Sequence, residues 1–312
     1  MASKRILVIG TANIDFLLKT PFVPARGETM ISEGGYTFVP GGKGANSAIA
    51  AARLGGETVF CTRVGDDAYG DRLLRIYAEN GIDPRYVKVD RSEQTGLAVV
   101  MLERSGDNRI IVFPGANRKI NETDIENSFL CYPDAVLTQF ECGEKQVIAA
   151  AQIAADENIP FFLDAGPAIP DFPLGKLRQV EVFSPNESET AILTGIRPNT
   201  PDDCLRAAIV LCNKVKIKYV VLKLGSRGAF IYDGKYCDIV ESYDVDAVDT
   251  TAAGDAFTAA LTLEYMRHGD IYRAVKYANA VGALTVTKVG ALSSLPKESE
   301  VKDFLLKQKE TL

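Results

Sequence analysis

Asp255 stands in the run Ala247-Val-Asp-Thr-Thr-Ala-Ala-Gly-Asp-Ala-Phe257, ahead of an apolar series at helical spacing (Ala259, Leu261, Leu263, Met266). That spacing predicts a helix over Ala253–His268. The first turn of a helix carries N–H groups with no intrahelical partner, and the macrodipole makes that end electropositive. The small residues Ala252, Ala253 and Gly254 would let an anion approach those N–H groups closely. A carboxylate is a poor choice for simple anion binding, because it repels the anion. Beside a held phosphate it suits phosphoryl transfer, where it takes the proton of an attacking hydroxyl. The competing reading is an acidic residue at an ordinary helix start.

Four other groups carry possible chemistry. Gly41-Gly-Lys-Gly-Ala-Asn46 runs into an alanine-rich helix over Ala45–Leu54, and glycines there make either a close-approach ligand site or a tight turn with a cap. The spacing is not that of a Walker A loop, and Gly10-Thr-Ala-Asn13 does not make a dinucleotide fingerprint. Asn13-Ile-Asp15 offers an amide and a carboxylate, suited to neighbouring sugar hydroxyls or to a self-capped turn. Glu141 follows a strand and would face the same edge. Asn186-Glu-Ser-Glu189 reads as a helix cap with an acidic first turn, or as an amide and carboxylate holding water around magnesium. Lys223-Leu-Gly-Ser-Arg-Gly228 is a turn between strands that could lie along a nucleotide.

The elements that must position these groups alternate. Strands are predicted over Arg5–Ile9, Thr58–Arg63, Ala135–Gln139, Pro160–Asp164, Glu181–Ser184 and Tyr219–Leu224. Helices are predicted over Ala45–Leu54, Tyr69–Asn80, Glu144–Glu157, Pro201–Lys214, Ala253–His268 and Ile271–Lys288. This rhythm implies an α/β fold, a doubly wound, mostly parallel sheet flanked by helices, with ligands beyond the carboxyl ends of its strands. Asn13, Asp164, Asn186 and Gly225 each follow a predicted strand. Phe16–Thr20, Glu33–Val39, Gly96–Glu103 and Asn108–Phe113 break the rhythm, the last two joined by a hairpin signal at Arg104-Ser-Gly-Asp107. They suggest a small β-sheet lid, inserted at about 16–39 and 96–113 of a single domain over 1–312. The apolar face of such a lid suggests a homodimer.

Bulk properties exclude several classes. Lys plus Arg is 35 against 41 Asp plus Glu, a formal charge of -6, which argues against nucleic acid as a main partner. No apolar run reaches the ~18 residues of a membrane span, and the apolar start Ile6–Ile9 reads as a strand rather than a leader. The six cysteines lack C-x-x-C spacing and sit mostly among apolar residues, as reduced thiols of a cytoplasmic protein would. One histidine, His268, lies at a predicted helix end. Serine–histidine chemistry and histidine-ligated zinc are therefore disfavoured, leaving carboxylates, lysine and backbone dipoles.

Gly41-Gly-Lys-Gly-Ala-Asn46 with Ala50-Ala-Ala-Arg-Leu-Gly55 resembles the N-terminal signature of the ribokinase-like (pfkB) carbohydrate kinases, and Asp249-Thr-Thr-Ala-Ala-Gly-Asp255 resembles their C-terminal signature. Val64-Gly-Asp-Asp67, Gly115-Ala-Asn117, Pro185-Asn-Glu187, Leu224-Gly-Ser-Arg-Gly228 and Val286-Thr-Lys-Val-Gly-Ala291 fall in the family's order, so the resemblance spans the chain. Lys43 and the small residues before Gly254 are closer to the ribose-phosphorylating branch than to fructokinases or adenosine kinases.

The resemblance implies ATP-dependent phosphorylation of D-ribose on its primary hydroxyl, with Asp255 as base and the N–H groups of Ala252, Ala253 and Gly254 as anion hole. Asn13, Asp15, Gly41, Gly42, Lys43, Asn46 and Glu141 would hold the sugar. Asn186 and Glu189 would support Mg2+, through water, at the phosphate end. Lys223, Gly225, Ser226, Gly228 and Asn279 would line the nucleotide site. A monovalent cation, K+, would sit by Asp249, with oxygens from Thr251, Thr285, Lys288, Gly290 and Ser294. Two departures stand out: Asp164-Ala-Gly-Pro167 where the family commonly has Asn-Pro-Ala-Pro, and Lys223 where threonine is common. A kinase for 2-deoxyribose, a nucleoside or another small sugar is the nearest alternative; a non-catalytic protein of the same fold is the distant one.

Overall fold

The computed structural model describes residues 3–32, 34–105 and 108–309. The first strand, β1 (Arg5–Ile9), shows why the sheet is covered on both faces. Ile6 and Val8 enter one hydrophobic core while Leu7 and Ile9 enter the other, as a side-chain period of two requires. The chain then leaves the main sheet through β2 (Asn13–Thr20) and β3 (Tyr36–Gly41), and returns with α1 (Lys43–Arg53). After β4 (Glu57–Gly65), α2 (Ala68–Glu79) and β5 (Val87–Asp90) it leaves again as β6 (Gly96–Glu103) and β7 (Asn108–Phe113).

A βα series follows. It comprises α3 (Glu122–Phe129), β8 (Ala135–Gln139), α4 (Glu144–Asp156), β9 (Phe161–Asp164), β10 (Gln179–Ser184), α5 (Glu187–Thr194), α6 (Pro201–Lys214) and β11 (Lys216–Lys223). An antiparallel end is made by β12 (Ala229–Tyr232) and β13 (Cys237–Val240), before α7 (Ala253–His268), α8 (Ile271–Val286), α9 (Ala291–Ser294) and α10 (Glu298–Lys307).

Among the described residues the main sheet has the order β13-β12-β11-β10-β9-β8-β1-β4-β5, parallel from β11 to β5. Residues of α1, α2, α7, α8 and α10 pack on one face and those of α3, α4, α5 and α6 on the other. The lid is a separate sheet, β3-β2-β6-β7, with β2 and β6 parallel. Four of the six cysteines are buried and all six are free thiols. Among the described residues no helix is long and apolar enough to cross a membrane.

The structure moves several predicted boundaries. β2 begins at Asn13 rather than Phe16, so Asn13 and Asp15 belong to the lid's first strand. Helix α1 begins at Lys43 rather than Ala45: the Asn46 N–H already bonds the Gly42 carbonyl at 2.9 Å, and Gly44, inside the helix, packs so close to Gly10 that a Cβ on Gly10 would meet its Cα at 2.7 Å. The glycine run is thus partly inside the helix, and Gly42, at φ 92°, is its N-cap. Strands β5, β12 and β13 and helices α3, α9 and α10 lie outside the predicted set. Glu33, in the predicted strand Glu33–Val39, lies outside the described residues, and the strand there starts at Tyr36. Gly106 and Asp107 of the hairpin signal also lie outside them.

Candidate active site

Helix α7 presents Asp255 in its first turn, buried, with Ala252 as N-cap in the left-handed conformation at φ 62°. The carboxylate is fixed from α1. Asn46 Nδ2 donates to Asp255 Oδ2 at 2.9 Å, and Lys43 Nζ lies 3.4 Å from Oδ1. Ser47 Oγ reaches the Asp255 carbonyl at 3.4 Å. Asp255 foremost, against the opposing effect of burial, raises the Lys43 pKa and keeps its ammonium charged. Of the three N–H groups expected to form the anion hole, that of Ala253 donates to the Thr250 carbonyl at 3.2 Å. Among the described residues those of Ala252 and Gly254 meet no acceptor, so the open donors flank the predicted centre.

The lid and the sheet edge converge on the other side of Lys43. Glu141, in the turn after β8, accepts the backbone N–H of Lys43 at 2.9 Å and the hydroxyl of Thr11. Asp15 on β2 faces the end of β3, where a Cβ on Gly41 would overlap its carboxylate. Burial first, then the negative charges of Glu141 and Asp255, push the Asp15 carboxyl up to about 7. Asn13 is buried, and its Oδ1 accepts from Asn117 Nδ2 at 2.8 Å. Asn117 also accepts from the Ala12 N–H at 2.9 Å. Asn13, Asp15, Gly41, Gly42, Lys43, Asn46 and Glu141 are therefore brought together, with Asp255 at one end.

A cavity of ≈ 470 Å³ opens on the opposite flank of α7, lined among others by Lys223, Gly225, Ser226, Gly228, Gly254 and Asn279. The segment after β11 is a hairpin, with β12 antiparallel to β11, and the same turn walls the cavity. Gly228 has φ 90°, and any side chain there would collide with the Val240 carbonyl. Asn279 spends its amide donors on the Val240 and Glu241 carbonyls, at 2.9 and 3.0 Å. Its direct work is to hold the cavity wall.

The two departures from the family pattern meet each other. Lys223 Nζ pairs with Asp164 Oδ2 at 2.5 Å, and both side chains are almost wholly buried. Thr258 Oγ1 donates to the same oxygen at 2.6 Å, and the Gly166 N–H to Oδ1 at 3.0 Å. Burial opposes the charge on Asp164, but Lys223 and then Lys43 hold its carboxyl below the usual range.

Asn186 and Glu189 form a reciprocal capping box on α5: Glu189 N donates to Asn186 Oδ1 at 2.9 Å, and Asn186 N to Glu189 Oε2 at 2.8 Å. The cap reading is thus the geometry observed. Asn186 also bridges to Lys223 across the ends of β10 and β11, which puts the box beside the cavity. Burial raises the Glu189 pKa. Asp249 joins two segments, accepting from Thr251 N and Oγ1 at 2.9 and 2.6 Å and from Gly290 N at 2.8 Å. The hydroxyls of Thr285 and Ser294 instead bond the Val281 and Ala291 carbonyls within their own helices. The Lys288 ammonium turns away to Glu300.

Sequence reasoning gave no role to Thr11, Asn117 or Thr258, which position Glu141, Asn13 and Asp164. Asn117 stood in the quoted Gly115-Ala-Asn117 run, and that was its only signal.

The chain matches the pfkB family carbohydrate kinase pattern over residues 3–298. It is 33% identical over 306 residues to the ribokinase of Haemophilus influenzae, covering 97% of this chain and 98% of that one. It is 31% identical over 302 residues to the deoxyribokinase of Salmonella typhi, covering 96% and 98%. The solved structure of Arabidopsis thaliana ribokinase complexed with ribose and ATP superposes with a TM-score of 0.89 at 32% identity, covering 98% of this chain and 99% of that one. With the acid-bearing head of α7 facing a polar, lid-covered pocket on one side and a glycine-lined cavity on the other, the chain belongs to the pfkB family of carbohydrate kinases.

Proposed function

We propose that this kinase transfers the γ-phosphate of ATP to the 5-hydroxyl of D-ribose. The observation that carries the reading is the position of Asp255, held by Lys43 and Asn46 between the polar pocket and the head of α7. The hydroxyl would lie against Asp255 and in line with the γ-phosphate. Asp255 takes its proton as the new P–O bond forms, and ADP leaves. The open N–H groups of Ala252 and Gly254 and the Lys43 ammonium oppose the charge that builds on the transferred phosphoryl. The lid strand carrying Asn13 and Asp15 closes over the sugar and excludes water, which suppresses hydrolysis of ATP.

Asn186 and Glu189 offer hard oxygen donors, the kind Mg2+ prefers. Since their capping box engages the only side-chain oxygen of Asn186 and one of the two of Glu189, the fit is through metal-bound water. When bound, Mg2+ neutralises phosphate charge. Asp249 would supply the carboxylate for K+ at the loop preceding α7, with Thr251 and Gly290 beside it. Strand β7 leaves Ile110, Ile111, Val112 and Phe113 half exposed at the lid's edge, a surface suited to pairing with a second copy.

Ribose is favoured over 2-deoxyribose by the number of buried or half-buried polar groups in the pocket: Asn13, Asp15, Lys43, Asn46 and Glu141. A site built to pair a hydroxyl rejects the analogue lacking it. The test is ADP release with Mg·ATP and D-ribose, 2-deoxyribose, fructose, adenosine or cytidine, each in potassium or sodium. A kcat/KM highest for ribose supports the reading. A higher value for the deoxy sugar or a nucleoside replaces the substrate while keeping the kinase.

A further inference from the structure

We propose that Lys223 is a phosphate-reading cation of the nucleotide site, held in firing position by Asp164, so that the two departures from the family pattern are one device. The proposal rests on the kinase reading above and specifies how the nucleotide's terminal phosphates are recognised.

Lys223 ends β11, at the carboxyl edge of the parallel strands where ligands of such sheets bind. Its side chain lines the glycine-rich cavity, and its Nζ lies 3.5 Å from where a Cβ on Gly254 would stand. The ammonium therefore stands between that cavity and the head of α7. A γ-phosphate bound through the cavity must pass this point to reach a hydroxyl at Asp255.

An ammonium has three N–H donors. One goes to Asp164 Oδ2 at 2.5 Å and a second, at 3.4 Å, to Thr258 Oγ1. Among the described residues the third has no acceptor, and the open side of the group is the cavity. Asp164 is itself supported by Thr258 and by the Gly166 N–H, so its orientation does not depend on Lys223 alone.

Burying a charged pair gains little stability over a neutral pair of similar size, because both groups lose their hydration. An asparagine and a threonine would fill these positions without that penalty. The charge has a use if a ligand anion completes the set: lysine acts on phosphate as a compact point charge on a flexible stem, and such a stem needs an anchor to present it. Asp164 is that anchor, a positioning residue that does not touch the nucleotide.

The experiment is a titration of adenosine, AMP, ADP and ATP into the full chain by calorimetry, using wild type, Lys223→Met and the double variant Asp164→Asn/Lys223→Thr. Wild type should gain affinity from AMP to ADP and ATP. Both variants should lose about tenfold in ATP and ADP affinity, the scale of one charge-assisted hydrogen bond, with adenosine changed less than about twofold. The double variant guards against a folding defect in Lys223→Met, since it removes both buried charges together. Equal losses for adenosine and ATP, or an ATP-to-adenosine ratio unchanged in the double variant, would overturn the proposal while leaving the kinase intact. A wild type that binds no nucleotide would overturn both.

Discussion

Asn46 Nδ2 donates to Asp255 Oδ2 at 2.9 Å, joining the first turn of α1 to the first turn of α7 across 209 residues of sequence. An amide N–H can only donate, so the oxygen it meets must accept, and the contact sets which way the carboxylate faces. Lys43, three residues earlier on the same turn, adds a positive charge 3.4 Å from the other oxygen. Two signatures far apart in the chain thus describe one object, a carboxylate aimed by its neighbour helix.

Replacing the proton acceptor should separate binding from turnover. Asp255→Asn keeps the size of the side chain and removes its basicity. We expect kcat to fall by about 10²–10⁴, the usual contribution of a positioned general base, with ATP and sugar dissociation constants within a few-fold of wild type. Steady-state kinetics with a parallel calorimetric titration checks this; turnover within a few-fold of wild type would remove Asp255 from the role.

Gly41→Ala tests the sugar side of the pocket through sterics alone. The new Cβ would overlap the Asp15 carboxylate, so Asp15 must turn away or β3 must shift from β2. The sugar KM should rise by about tenfold or more, the loss of one charge-assisted hydrogen bond, while the ATP KM holds. A matching rise in the ATP KM would mean that the damage had spread beyond the lid.

Asp249→Asn bears on the cation loop. Asp249 clips Thr251 and Gly290 together and lies outside the polar pocket. The amide would weaken that clip and remove the charge that attracts a monovalent ion. The variant should lose the ratio of activity in potassium to activity in sodium while retaining its sugar preference. An unchanged ratio would place the ion elsewhere.

How much of this was legible in the sequence differs by residue. Asp255 was readable because small residues, a carboxylate and a helical period coincide in one short run. The strands β1, β8 and β9 were readable because buried parallel strands are continuous apolar runs. Strand β2 was cut short at Phe16 because Asn13 and Asp15 carry polar signals that resemble a turn, although pairing with Gly41 and Gly96 makes them strand. The start of α1 was misplaced because its glycines read locally as a turn, while the close packing of Gly44 on Gly10, which calls for glycine inside the helix, is tertiary. Asp164 and Lys223 read as separate oddities, since nothing local links residues on β9 and β11. Their pairing exists only once β10 has placed its two neighbours.

Without sugar, burial and the charges of Glu141 and Asp255 raise the Asp15 carboxyl from 3.8 to about 7. Sugar hydroxyls donate best to the ionised form, so binding displaces the proton. The sugar affinity should therefore rise with pH up to about 7 and level off above it, falling by about tenfold for each pH unit below. ATP affinity should not follow this curve. Stability of the sugar-free protein carries the opposite sign. A carboxyl whose folded value lies above its unfolded one contributes stability that is complete below about 4 and is lost as pH rises through about 7. Asp15→Asn, neutral throughout, should accordingly raise Tm above pH 7, leave it unchanged near pH 4, and abolish the pH dependence of sugar binding. Calorimetric titrations of sugar across pH 5 to 9, with thermal melts in the same buffers, measure both. A flat affinity between pH 6 and 8 would show that Asp15 does not bind the sugar in its ionised form.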